Sequence, residues 1–484
     1  MAKPDILMFM TDQHTPYYSG WYGNNVDTPN LDQLVENGTA FDETYTVCPL
    51  CVPSRAAMLT AKRPAETGIF TLSDAIPDMT PTFLHHLVKE GYETVLVGRM
   101  HFVGADQRHG FTKRIFPDCT TITWNRQDMT NQRGVYESAY GGYKNTNVVG
   151  GGKSSSSYYD LRVIETALDY LSMPHEKPQF ICVSIYSPHH PYVGPAELFE
   201  KYRAKVRLPE SFEDEMAADT WKNQKRNHVS PELALDIQAA YCAMVEEMDF
   251  RMGMVHSAFQ EYCRTLNHDH LFIYTSDHGD NIGDHRTLGK NNFFEKSAKI
   301  PMIFSGTGVE KNVRIKDAVS IMDLGPTVLE YIGAEPMHQV DGVSVCSSLQ
   351  NKPFNEHAVY GEYINNYDKD EKYSFMLKEK QYKYLCFSAE DTELLYDTIK
   401  DSEERHNLID ELPETAQYMR RLAGEYRKDE QAVRVDLYHK QNYQLWKAYE
   451  SAAGVPYMDA LFSEEVPQEY LSSPEILSSY CTKL

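Results

Sequence analysis

Long apolar runs, positive charge and paired cysteines are all scarce in this sequence. The amino terminus, MAKPDILMFMTDQ, holds only a short apolar stretch between Asp5 and Thr11, too short for a secretory core segment or a membrane span. A cytoplasmic location is therefore expected. Lysine and arginine total 47 against 70 acidic residues, a formal net charge of -23. That balance excludes nucleic acid and anionic membrane as general partners, so an anionic substrate needs a local island of positive charge. The nine cysteines, at 48, 51, 119, 182, 242, 263, 346, 386 and 481, are odd in number and scattered, which suits reduced thiols rather than a disulfide framework. Internal repeats are absent. What remains is globular: 484 residues, 42% hydrophobic and 24% charged, are more than one core usually supports.

Helix and strand signals alternate through the first two thirds. Strands are expected at Asp5 to Met10, Glu93 to Val97, Gln179 to Ser184, His270 to Tyr274 and Pro301 to Phe304. Helices are expected at Leu31 to Glu36, closed by Gly38, at Pro81 to Glu90, closed by Gly91, at Tyr159 to Leu171, and from Pro231 to about Tyr262. This order predicts an α/β fold with a large, mostly parallel central sheet flanked by helices. Residues 130–157, rich in Gly, Ser, Asn and Tyr, read as a long loop. From about Glu356 short alternating runs predict a small antiparallel sheet within a smaller C-terminal α+β subdomain, and NYQLWKAYE predicts a helix. The expected division is a catalytic domain at 1–355, the subdomain at 356–430, and a tail at 431–484 that contacts another copy of the chain.

Ligands of such sheets gather beyond the carboxyl ends of the strands. Two expected strands end there in acids, at Asp12 and Asp277, each beside a second ligand-type residue, Gln13 and His278. A lone acid in that place is a helix cap or turn former; the pair is more suggestive. The most informative stretch is CPLCVPSRAAMLTAKRP, residues 48–64. As a CxxC pair, Cys48 and Cys51 lack the second half of a zinc site. As CxPSR before an apolar helical run, Cys51 stands at a helix entrance with Arg55 one turn on, an arrangement that suits an anion.

Here the chain resembles the sulfatases of the alkaline-phosphatase superfamily, over nearly its whole length. The resemblance implies that Cys51 is converted to formylglycine, whose hydrated form is the nucleophile, by a formylglycine-generating or anaerobic sulfatase-maturating enzyme. Asp12, Gln13, Asp277, His278 and the oxygen of modified Cys51 would then surround one divalent metal, with calcium ahead of manganese and magnesium. VGRMHFVG at residues 97–104 resembles the family's GKxH element and implies sulfate binding by Arg99, in place of the usual Lys, and a base at His101. SPHHPY resembles the PHxP turn and implies His189, with Lys290 of LGKNNFF, as proton donor to the departing alcohol. Gln13, His278 and Ala61 stand where relatives more often carry Asp, Asn and Gly.

The implied activity is hydrolysis of a small sulfate ester, of a carbohydrate, choline or an aryl alcohol, to the alcohol and inorganic sulfate. DQRHGF and TDQ look most like the choline-sulfatase-like branch, and Trp124 is a candidate for an aromatic cage. Two rivals are a phosphonate monoester or phosphodiester hydrolase of the same superfamily, against which His101 speaks, and a non-catalytic sulfate-ester binder that keeps Cys51 as a thiol.

Overall fold

The computed structural model describes residues 3–120, 122–124, 148–214, 229–354, 356–365, 372–388, 392–454 and 458–470. Most of the expected long loop, residues 130–147, and the end of the tail, 471–484, lie outside the described residues.

A nine-stranded sheet runs in the order β10 (Val313–Ile315), β2 (Gly38–Tyr45), β9 (Lys299–Gly306), β8 (His270–Ser276), β1 (Asp5–Asp12), β6 (Gln179–Pro188), β3 (Glu93–Gly98), β4 (Lys113–Phe116), with β11 (Val319–Ser320) also on β2. Every pairing is parallel except those of β9, which runs against both β2 and β8. The β1 sequence explains how one sheet serves two cores: Ile6, Met8 and Met10 face one side, Leu7 and Phe9 the other. Helices Cys51–Thr60, Phe83–Lys89 and Leu324–Tyr331 cover the first face; Pro29–Glu36, Ser155–Leu171 and Pro231–Leu266 cover the second. None of the described helices is long and apolar enough to cross a membrane.

Three expectations need correction. Gly38 opens β2 instead of merely closing a helix: a Cβ there would meet Phe304 O at 2.1 Å, so only glycine admits the neighbouring strand. The loop expected to run to Ser157 already contains β5 (Val149–Gly151), paired with β7 (Tyr192–Gly194), and the first turn of helix Ser155–Leu171. Its glycines serve close approach, since a Cβ on Gly151 would meet Ala196 Cα at 2.8 Å. Its serines cap: Ser154 Oγ accepts from Ser157 N at 3.1 Å. Finally, β6 continues past Ser184 to Pro188, carrying its end out to the site.

The C-terminal sheet is an antiparallel meander, β12 (Val359–Asn365), β13 (Lys372–Glu379), β14 (Tyr382–Phe387), β15 (Glu393–Asp397). One face joins the first core together with helix Pro413–Tyr426; the other packs on Tyr45, Phe293 and Phe294. Helix Asp429–Ala453 follows, and contains the helix expected at NYQLWKAYE.

Candidate active site

Strands β8, β1, β6 and β3 are consecutive neighbours and parallel, so their carboxyl ends form one ledge. Asp277 follows β8, Asp12 ends β1, His189 follows β6, and Arg99 and His101 follow β3. Helix Cys51–Thr60 brings its amino end to this ledge. Pro53 is tolerated in its first turn, AAML propagates it, and Ala61 ends it at a φ of 53° in the left-handed region, which accounts for glycine in relatives. Lys290 comes from the connection between β8 and β9.

All ten sequence-predicted residues are buried and converge. Cys51 Sγ lies 3.1 Å from Lys290 Nζ, 3.2 Å from His278 Nε2 and 3.8 Å from Asp12 Oδ1. His189 Nε2 is 3.9 Å from the same Asp12 oxygen. Arg55 makes four donations: Nε to Asp277 Oδ2 at 2.8 Å, Nη2 to Asp12 Oδ2 at 3.0 Å, and Nη1 to Arg99 O and Ser184 Oγ. Arg99 donates through Nε to Asp12 Oδ2 at 2.6 Å and through Nη1 to Thr120 Oγ1 at 2.7 Å, while Nη2 is 3.0 Å from His101 Nδ1. Its guanidinium also lies 4.9 Å from the centre of the Tyr186 ring.

Two of these residues have unusual backbones, and a buried carboxylate holds each. Gln13, at φ 69°, donates its N–H to Asp277 Oδ1; His101, at φ 56°, donates its N–H to Asp118 Oδ2 at 2.7 Å. Such strain persists only where the surroundings over-determine it. Asp118 lacked any motif in the sequence, as did Thr120, Ser184 and Tyr186. Asp280, three residues after Asp277, was not singled out from the sequence either.

Burial opposes ionisation of Asp12, yet Arg99, His189, Lys290 and Arg55 together hold its carboxyl well below the usual carboxylate range. Burial, then Asp12, pushes the Cys51 thiol up, with Lys290 pulling the other way. His189 is pushed well down by burial, His190 and Lys290. Hydrogen bonding sets the tautomers of the neutral rings. His189 Nδ1 faces His190 O at 2.8 Å and so carries the proton, leaving a lone pair on Nε2. Arginine only donates, so His101 Nδ1 accepts from Arg99 and its proton sits on Nε2.

Asp12, Cys51, Asp277 and His278 bring one ligand atom each within 4.8 Å of one another. In six-fold coordination, metal–oxygen bonds of about 2.1–2.5 Å put neighbouring ligands about 3–3.5 Å and opposite ones about 4–5 Å apart. The set therefore fits a divalent cation. His278 Nδ1 is 3.0 Å from Gly279 O and so bears the hydrogen, which aims the Nε2 lone pair at the cluster. Burial lowers this histidine to about 4, which keeps it neutral.

Residues 4–334 match the sulfatase family model, and residues 283–432 match the model for the C-terminal region of N-sulphoglucosamine sulphohydrolase. The chain belongs to the sulfatase family, the sulfuric ester hydrolases. It is 28% identical to a choline-sulfatase of Rhizobium meliloti over 84% of this chain and 83% of that relative. An arylsulfatase of Clostridium perfringens is 26% identical over 87% of this chain and 93% of its own. Among solved structures, a 2-O GAG sulfatase superposes with a TM-score of 0.71 at 22% identity, covering 92% of this chain and 94% of its own. The phosphonate monoester hydrolase of Agrobacterium radiobacter superposes with 0.72 at 19% identity, covering 87% and 95%. Those two likenesses share the fold and do not separate the chemistries.

Proposed function

We propose that this chain hydrolyses a small sulfate ester with a formylglycine made from Cys51 and one divalent metal, calcium first, held by Asp12, Gln13, Asp277, His278 and residue 51. The reading rests on one observation: the side chain of Cys51, at a helix amino end, is ringed by Lys290, His278 and Asp12 within 3.8 Å. The aldehyde supplies, as its hydrate, a nucleophilic hydroxyl and a second hydroxyl whose proton loss expels sulfate; the metal supplies positive charge beside both. That charge is needed, because the cations Arg55, Arg99 and Lys290 are matched by the carboxylates of Asp12, Asp118 and Asp277.

The chain's own groups divide the remaining work. Arg55, donating one hydrogen bond to each, fixes both aspartates in place. Lys290 and Arg99 hold the sulfuryl oxygens as charge moves to the ester oxygen. His189 protonates the departing alcohol, and needs the proton on Nε2 that its resting tautomer lacks; a bound anion beside it favours that uptake. When sulfate draws Nη2 of Arg99 away, His101 Nδ1 takes the hydroxyl proton.

For the alcohol half we favour a small neutral or cationic group. A cavity of about 630 Å³ borders Val103 and Gly104, two and three residues past His101, has none of the ten site residues in its lining, and is walled by Trp124, Tyr443 and Trp446. Asp74, Asp78, Asp106 and Glu450 line it, and none of its described lining residues is Lys or Arg. A carbohydrate, choline or aryl group suits such walls, whereas a polysulfated chain does not. The tail from residue 431 is assigned to contact with a second copy, since its helix shows Leu437 and Leu445 to solvent; an L437D/L445D variant of unchanged size in solution removes that assignment.

The test is turnover of 4-nitrophenyl sulfate against a phenylphosphonate monoester, with aldehyde-specific labelling of the Cys51 peptide. Sulfate turnover by labelled protein is expected. A strong phosphonate preference, or an unmodified thiol in active protein from the native host, overturns the reading.

A further inference from the structure

Gln13 carries an amide where relatives more often carry a carboxylate, and an amide works as a metal ligand only one way round. Its two neighbours agree on the orientation. The Asp280 carboxylate, an acceptor when ionised, receives Gln13 Nε2, and Lys290 Nζ, a donor only, lies 2.8 Å from Gln13 Oε1. The carbonyl oxygen thus shares Lys290 Nζ with Cys51 Sγ, and the amide nitrogen is turned to Asp280.

Asp280 is itself held by four donors. Oδ2 accepts from Tyr192 OH at 2.8 Å as well as from Gln13, and Oδ1 accepts from Gly289 N at 2.6 Å and Ile282 N at 3.1 Å. Both Asp280 and Gln13 are fully buried, so no solvent can take over a lost partner. Gly289 directly precedes Lys290, so the same carboxylate also sets the start of the lysine's segment.

We propose that Asp280 is a positioning residue that selects the orientation of the Gln13 amide, and that positions 13 and 280 form a matched pair in which one side donates and the other accepts. The inference rests on the metal reading above. In Asp280→Asn, the carbonyl oxygen stays with the Gly289 and Ile282 N–H groups and the new NH2 meets Gln13. The Gln13 amide must then turn over and offer N–H2 to the metal. In Gln13→Glu, two carboxylates face each other in a dry site. In the double variant, the amide introduced at position 280 donates to one oxygen of the carboxylate introduced at position 13, and the other oxygen remains toward the metal.

The experiment is a titration of each purified protein with CaCl2 and MnCl2, read as the shift in melting temperature, with melts in chelator reporting whether each variant folds. Each single variant is expected to bind the cation about 10–100-fold more weakly than the unsubstituted chain. The double variant is expected to bind at least as tightly as the better single one and to recover most of the loss, a coupling that general damage to the fold does not produce. If the unsubstituted chain binds and the two losses simply multiply in the double variant, the pairing is wrong and the metal site stands. If the unsubstituted chain responds to neither cation, the metal reading fails and this inference falls with it.

Discussion

Arg99 Nε donates to Asp12 Oδ2 at 2.6 Å, and the rest of that guanidinium reaches Thr120 and His101 in the same plane. A lysine has three donors on one atom and cannot span those partners. Arg99→Lys, although it restores the residue usual in relatives, is therefore expected to lower kcat/KM for 4-nitrophenyl sulfate by about 10–100-fold. That corresponds to losing about 1.4–2.7 kcal/mol, the worth of one charge-assisted hydrogen bond. Steady-state kinetics with a melting curve for each protein checks it; an unchanged kcat/KM removes Arg99 from sulfate binding.

Much of this site was legible because its residues sit in short motifs at strand ends, where a run such as ILMFMTDQ announces both the strand and its terminal acid. The sheet was legible for a similar reason: β1, β6 and β8 are buried on both faces and read as apolar runs. β2 was not, because GTAFDETY mixes polar residues into a strand whose pairing with antiparallel β9 only the folded chain defines. Asp118 was hidden for another reason. It acts through the N–H groups of Met100 and His101, and a side chain that serves a backbone leaves no spacing rule in the sequence.

On the proposed metal reading, with residue 51 supplying an oxygen, His278 would bring the one nitrogen to an otherwise oxygen set, which bears on metal choice. Replacing it with Asn, an oxygen ligand, is expected to favour calcium over manganese relative to the unsubstituted chain. The measurement is the melting temperature at matched CaCl2 and MnCl2. Cation at about one hundred times its dissociation constant adds about 2.7 kcal/mol of stability, enough to resolve the order of preference. An unchanged order shows that His278 does not ligate.

The C-terminal sheet is tied to the catalytic layer by buried charge. Lys383 Nζ, with no solvent exposure, donates to Phe293 O at 2.7 Å and Glu295 Oε1 at 2.8 Å, and also pairs with Glu404. Burial, eased by Lys383 but increased by Glu295, pushes the Glu404 carboxyl up to about 7. Lys383→Met leaves two facing carboxylates without their shared cation and is expected to cost about 3–5 kcal/mol, read as a lower urea midpoint. A loss below about 1 kcal/mol shows that Lys299, 2.7 Å from Glu295, already suffices.

Acid stability separates groups that pull in opposite directions. Burial lowers His256 to about 4 and His14 to about 3, so both are neutral in the fold across a range where the unfolded chain binds protons. Their contribution is present above pH 6.5 and is lost as pH falls, by roughly 1.4 kcal/mol per pH unit for each. Asp160 and Asp249, raised to about 6 mainly by burial, act the other way: their contribution is present at low pH and is lost as pH rises through 6. A single stability curve therefore mixes the two signs, and a difference between proteins is needed. His256 lies against the Phe272 ring, 4.5 Å between centres. His256→Gln removes one proton-binding group from the unfolded chain and is expected to lose about 2 kcal/mol less than the unsubstituted protein between about pH 7 and pH 5. Parallel urea curves at the two pH values decide it: equal losses mean that His256 is solvated enough to titrate in the fold as it does in the open chain.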